Sequence, residues 1–178
     1  MPSKEEFLKT PLQSKKHWIP WIKNELEATG IVVYTPELPE PYRPNYDAWK
    51  ACFEQFHVDE ETTLVGHSCG GGFLVRWLSE NKINVDKVAL VAPWINQNDS
   101  RPTPEFFDFE IDPNLAKRTK GIKLFISLDD DPDEIDTAES LKASVPGLLV
   151  QEFTDRGHFT LGDMGTEKFL ELKEFLLK

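Results

Sequence analysis

The stretch Leu64-Val65-Gly66-His67-Ser68-Cys69-Gly70-Gly71-Gly72 restricts what this chain can become more than any other. A short apolar run from Thr62 to Val65 enters G-x-S-x-G, and Phe73-Leu74-Val75-Arg76-Trp77-Leu78 leaves it with the apolar content of a helix packed on a sheet. Strand, sharp turn and helix are therefore expected, with Ser68 at the apex in a strained backbone conformation that lifts its hydroxyl clear of the sheet. Gly66 and Gly70 are expected to give strand and helix room to approach. A glycine-rich loop before a helix can instead cradle a phosphate on the helix amides. The spacings that mark nucleotide loops, G-x-G-x-x-G and Gly-Lys-Ser/Thr, are both absent here. The stretch reads as a turn that presents a nucleophile.

Around it, apolar runs alternate with amphipathic ones. Trp18, Ile19, Trp21, Ile22 and Leu26 recur at helical spacing, with Pro20 near the start and Gly30 as a stop. Ile31-Val32-Val33-Tyr34 reads as a buried strand, and 35–41, with three prolines, as an extended loop. A helix is expected from Asn45 to about His57, carrying Trp49, Phe53 and Phe56. After the serine turn come strands over 87–92, 122–127 and 148–153, helix 134–144, and a final amphipathic helix from about Thr166 to Leu177. Such alternation predicts a doubly wound, mostly parallel sheet in one α/β domain over 1–178, with active groups at the C-terminal ends of the strands. Residues 1–14 are poorly patterned. Residues 93–112 carry Trp94, Phe106, Phe107 and Phe109, which could line a pocket, act as a lid, or fill a satellite core.

Two further chemical groups follow Ser68 in the order acid, then base, each just after an expected strand. Serine is a weak nucleophile until an imidazole accepts its proton and a buried carboxylate holds that imidazole in the right tautomer. His158 is the late histidine, and Gly157 permits a turn that aims its ring toward Ser68. His67, beside the nucleophile, is expected to pack against the turn; His17 and His57 read as structural residues of helices. The acid lies in Asp129-Asp130-Asp131, of which at least two members must stay solvated, since clustered carboxylates raise one another's pKa. Asp131 is favoured, Asp130 is the alternative, and Asp155 is a distant third. The backbone N–H of Cys69 is one candidate oxyanion donor.

The composition restricts partners. A net charge of −11 disfavours nucleic acid and anionic membrane. No apolar run approaches the ~20 residues of a membrane span, and the N-terminus lacks a signal peptide's apolar core, so a cytoplasmic protein is expected. Cys52 and Cys69 suggest neither a disulfide framework nor a metal site, and no cofactor is called for.

These motifs, with His17-Trp18-Ile19-Pro20-Trp21 before them, resemble the small serine-hydrolase family of retinoblastoma-binding protein nine and its bacterial relatives. That family is a minimal α/β-hydrolase with an H-W-x-P-W first helix, a G-H-S-x-G elbow, a D-D-P acid loop and a G-H-F base loop. The matches here are Gly66-His67-Ser68-Cys69-Gly70, Asp130-Asp131-Pro132 and Gly157-His158-Phe159, over about 14–178. The resemblance implies serine hydrolysis of small esters or amides and selects Asp131 as the acid. Two departures stand out. The family's first strand ends in a His-Gly turn that supplies the second oxyanion donor, whereas Pro2 to Thr10 is charged and holds neither residue. The Leu-x-Cys-x-Glu segment of the family's namesake corresponds to Phe56-His57-Val58-Asp59-Glu60, so retinoblastoma-type pocket binding is not expected. A catalytically impaired interaction module on the same fold is the alternative reading.

Overall fold

The computed structural model describes residues 12–95 and 104–178. Its frame is a sheet of four parallel strands, β1 (Leu64–His67), β2 (Val85–Val91), β3 (Thr119–Ser127) and β4 (Leu149–Phe153), in the order β1-β2-β3-β4. The register sets Leu64 opposite Val88, Val88 opposite Ile122, and Leu124 opposite Val150. The C-terminal halves of the two inner strands, Val88–Val91 and Leu124–Ile126, are continuous buried apolar runs because both faces of the sheet are covered there.

The period-2 alternation of the strands sorts their side chains into two cores. Val88, Leu90, Ile122, Leu124 and Ile126 face one layer, which holds α2 (Tyr46–Phe53), α3 (Cys69–Asn81) and α4 (Pro132–Ser144). Ala89, Val91 and Phe125 face the other, where α1 (Ile19–Glu27) and α6 (Leu170–Leu177), with their N-cap residues Trp18 and Phe169, supply Ile22, Leu26, Leu172 and Leu176 beside those two rings. This is the expected doubly wound α/β arrangement. Crossovers through α3 and α4 return each strand to the same end, so the loops after β1, β3 and β4 meet along one rim. A short helix, α5 (Leu161–Met164), follows β4 and is closed by a capping box between Thr160 and Asp163.

Three expectations change. Ile31–Tyr34 is apolar enough for a buried strand, but it pairs with no strand among the described residues; Val32 and Tyr34 are 73% and 68% exposed. The aromatics of 93–112 are core rather than lid. Trp94, Phe106 and Phe107 are buried, with Phe106 edge-on to Trp49 at 5.0 Å and Phe107 edge-on to Trp94 at 4.8 Å. Residues 96–103 lie outside the described set, as do 1–11, the stretch that corresponds to the family's first strand. The last helix begins at Leu170 rather than near Thr166.

Candidate active site

β1 ends at His67 and α3 begins at Cys69, leaving one residue to make the turn. Ser68 therefore takes φ 52°, ψ −127°, a conformation that costs a non-glycine residue about 1–3 kcal/mol and persists only where the surroundings over-determine it. They do so here. The Ser68 N–H donates to the Val91 carbonyl (3.0 Å), and its own carbonyl accepts from the amides of Gly71 (2.9 Å), Gly72 (3.2 Å) and Trp94 (3.0 Å).

The glycines are needed for space, though not all as expected. A Cβ on Gly66 would lie 2.6 Å from the Gly70 carbonyl oxygen, and one on Gly72 only 2.2 Å from that of Trp94. At Gly71 it would meet the Pro93 side chain at 2.8 Å. Gly70 has nothing within 4 Å, so the close approach falls to Gly66, Gly71 and Gly72.

The loop after β4 is tied to the loop after β3 by one serine and one aspartate. Buried Ser127 accepts from the Arg156 N–H (3.0 Å) and donates to Asp129 Oδ1 (2.5 Å), which also accepts from the Gly157 N–H (3.0 Å). These donors, led by the Ser127 hydroxyl, lower the pKa of Asp129. Positive φ at Gly157 (45°) and Phe159 (55°) then folds the chain back. Phe159 is fully buried, stacked 5.3 Å from Phe169, and anchors the turn from below.

Between them His158 is held at three points. Its N–H donates to Asp163 Oδ2 (3.2 Å), its carbonyl lies 2.8 Å from His67 Nε2, and its ring Nδ1 lies 3.1 Å from both carboxylate oxygens of Asp130. A carbonyl accepts, so His67 carries its proton on Nε2; a carboxylate accepts, so His158 carries one on Nδ1 and leaves Nε2 open. The Asp130 side chain is 2% exposed and that of His158 29%.

The carboxylate that meets the His158 ring is thus that of Asp130 and not of Asp131. Pro132 forces the residue before it into extended backbone, and Asp131 complies with ψ 146° as the N-cap of α4, its side chain exposed. Asp155 is 80% exposed beside Arg156 and does not enter the site.

Charges follow from this packing. Burial alone would lower the pKa of His158, but the Asp130 hydrogen bond, with Glu134 and Asp163 nearby, raises it above the ordinary histidine value. Burial holds His67 down to about 3, so that ring is a neutral packing residue, as expected. His17, expected within a helix, lies before α1 at φ 56°, accepts from the Leu161 N–H (3.0 Å) and packs edge-on to His67 at 5.9 Å. Burial lowers its pKa as well. Sequence reasoning also missed Glu134, which sits one turn into α4, buried beside Asp130 and His158. Burial, reinforced by the Asp130 and Asp131 carboxylates, raises its pKa.

Known proteins resemble this chain in sequence and in fold. Residues 12–176 match the family model described as serine hydrolase. Over 99 residues the chain is 34% identical to the putative hydrolase YdeN of Bacillus subtilis, covering 53% of this chain and half of that relative. It is 23% identical over 151 residues to the serine hydrolase RBBP9 of Rattus norvegicus, covering 80% and 77% of the two chains. The crystal structure of YdeN superposes with a TM-score of 0.78 at 22% identity, covering 92% of this chain and 90% of that one. An esterase from Exiguobacterium antarcticum superposes at 0.61 with 16% identity over 92% and 87%, which speaks for the shared fold.

Proposed function

This chain belongs to the serine hydrolase family, and from that premise we propose that it cleaves small carboxylic esters through an acyl-serine intermediate, using Ser68, His158 and Asp130. The observation that carries the reading is the Asp130 carboxylate on His158 Nδ1, at 3.1 Å through both oxygens. It leaves Nε2 as the basic nitrogen, on a ring whose own carbonyl is bonded to His67, the residue next to Ser68.

The steps follow from those roles. His158 Nε2 takes the Ser68 proton as Oγ attacks the ester carbonyl, and Asp130 stabilises the imidazolium without itself being protonated. The Cys69 N–H, at the positive end of the α3 dipole, serves the developing oxyanion. His158 returns the proton to the departing alkoxide. Water, deprotonated by the same nitrogen, then attacks the acyl-serine and restores the free hydroxyl. The chemistry uses only protons and acyl groups, so a bound cofactor has no step to perform.

The test is hydrolysis of p-nitrophenyl acetate and butyrate by the purified protein, with Ser68→Ala as control and circular dichroism to check folding. The reading expects turnover that falls by about 10³–10⁶ in the variant. A folded wild type with no turnover would favour the interaction-module alternative.

A further inference from the structure

Asp130, Glu134 and His158 each offer one ligand atom, and those atoms all lie within 4.8 Å of one another. Two of them, His158 Nδ1 and an Asp130 oxygen, are 3.1 Å apart. Two metal–ligand bonds of about 2.1 Å span that gap at an angle of roughly 95°, near what a small divalent cation accepts. Bringing the third ligand to the ~3.4 Å ligand spacing of a tetrahedral site asks for a shift of at most about 1.4 Å, within reach of a glutamate side-chain adjustment.

A second, separate observation points to an occupant. Glu134 is only 5% exposed, and its Oε2 is buried with no hydrogen-bond donor. A buried carboxylate oxygen without a partner is costly, and such orphans call for an explanation. The nearby hydrogen-bond donor, His158, is already engaged by Asp130. Two carboxylates share one imidazole here, so the cluster is short of positive charge.

We propose that Asp130, Glu134 and His158 form an inhibitory binding site for a divalent cation of the zinc class, held by Nδ1 and the two carboxylates. One imidazole nitrogen and two carboxylate oxygens are a donor set such ions take, with solvent at the fourth position. The consequence for catalysis, which rests on the function proposed above, is a matter of tautomers. A cation on Nδ1 uses that nitrogen's lone pair, and the ring proton moves to Nε2 through solvent. No electrons are exchanged and the ring stays neutral. With a proton on Nε2, His158 can no longer accept one from Ser68. The cation thus switches off the base while leaving Ser68 and its turn untouched.

The experiment is calorimetric titration of Zn²⁺ into Ser68→Ala protein, alone and combined with Glu134→Gln, Glu134→Leu or His57→Ala. The last removes the exposed His57–Asp59 pair, an ordinary surface site for zinc. One ion per chain should bind Ser68→Ala, and either Glu134 substitution should weaken binding about tenfold or more, since even outer partners of metal ligands are worth 10–100-fold. His57→Ala should change nothing. In parallel, Zn²⁺ should inhibit wild-type ester hydrolysis over the same concentrations, reversibly on chelation, while each Glu134 variant, measured against its own metal-free rate, resists. Binding unaffected at Glu134, or lost in His57→Ala, overturns the proposal. Absence of esterase activity in wild type would instead count against the proposed function and leave the calorimetric result to decide the site.

Discussion

The two flanks of β1 are treated very differently. On the side of β2 its backbone is paired in register, its end is pinned by four hydrogen bonds around Ser68, and three loops close over one rim. On the other side, among the described residues, no strand adjoins it, and Val65 is 38% exposed; Ile31–Tyr34, apolar but unpaired, likewise leaves Val32 and Tyr34 open. The contrast teaches where this fold concentrates its constraint. Strain, buried charge and glycine-only contacts gather at the rim that carries Ser68, Asp130 and His158, while the apolar side chains of Val32 and Tyr34 stand exposed.

Substitutions at the glycines should sharpen that contrast most. Gly72→Ala drives a methyl into the Trp94 carbonyl at 2.2 Å, a backbone atom that cannot swing away. It should lower stability by about 3 kcal/mol in urea unfolding. Gly70→Ala, two residues earlier in the same motif, meets nothing within 4 Å. It should raise stability by about 0.5–1 kcal/mol through helix propensity. Equal effects at the two positions would break the account of the turn.

The pH dependence of ester hydrolysis, measured with a chelator present, should be intermediate in size. In the proposed mechanism the base must be neutral to act, and His158 titrates above the ordinary histidine value of 6.5. The acidic limb of kcat/KM should therefore have its midpoint above pH 6.5, with activity falling as pH drops through it. The linked stability has its own sign: a raised folded-state pKa gives a contribution fully present below pH 6.5 and lost as pH rises through the folded value. His67 acts oppositely. Its pKa of about 3 gives stability present above pH 6.5 and lost progressively as pH falls toward 3.

The smallest effect is expected at Val32. Val32→Ser, at a side chain already 73% exposed, should change stability by less than about 0.5 kcal/mol. A loss of 2 kcal/mol or more would show that Val32 is covered in solution.

What the sequence revealed, and what it hid, follows the same division. The serine turn, its flanking strand and helix, three further strands and the His158 loop each have a local cause, such as a glycine, an apolar run or a cap, and each was legible. The choice between Asp130 and Asp131 was not, because it depends on where β3 stops and how Pro132 turns the preceding residue away. A match to a D-D-P pattern cannot resolve one residue of register. Ile31–Tyr34 shows that an apolar run signals capacity to form a strand, while pairing needs a neighbour that only the tertiary structure supplies. Glu134 sits in an acidic stretch whose other members are mostly exposed, and nothing in the one-dimensional pattern marks the buried one. His17 was misread because its left-handed backbone lies just ahead of the helix that its neighbours form.

The central claim is that Asp130 orients the base. Its most direct test is kcat/KM for p-nitrophenyl butyrate in Asp130→Asn and Asp131→Asn, each checked for folding by circular dichroism. The account predicts a loss of about 10⁴ for Asp130→Asn, as expected when the imidazole is held in the wrong tautomer, and a change of no more than about threefold for Asp131→Asn. The reverse ranking, or equal losses, would contradict it.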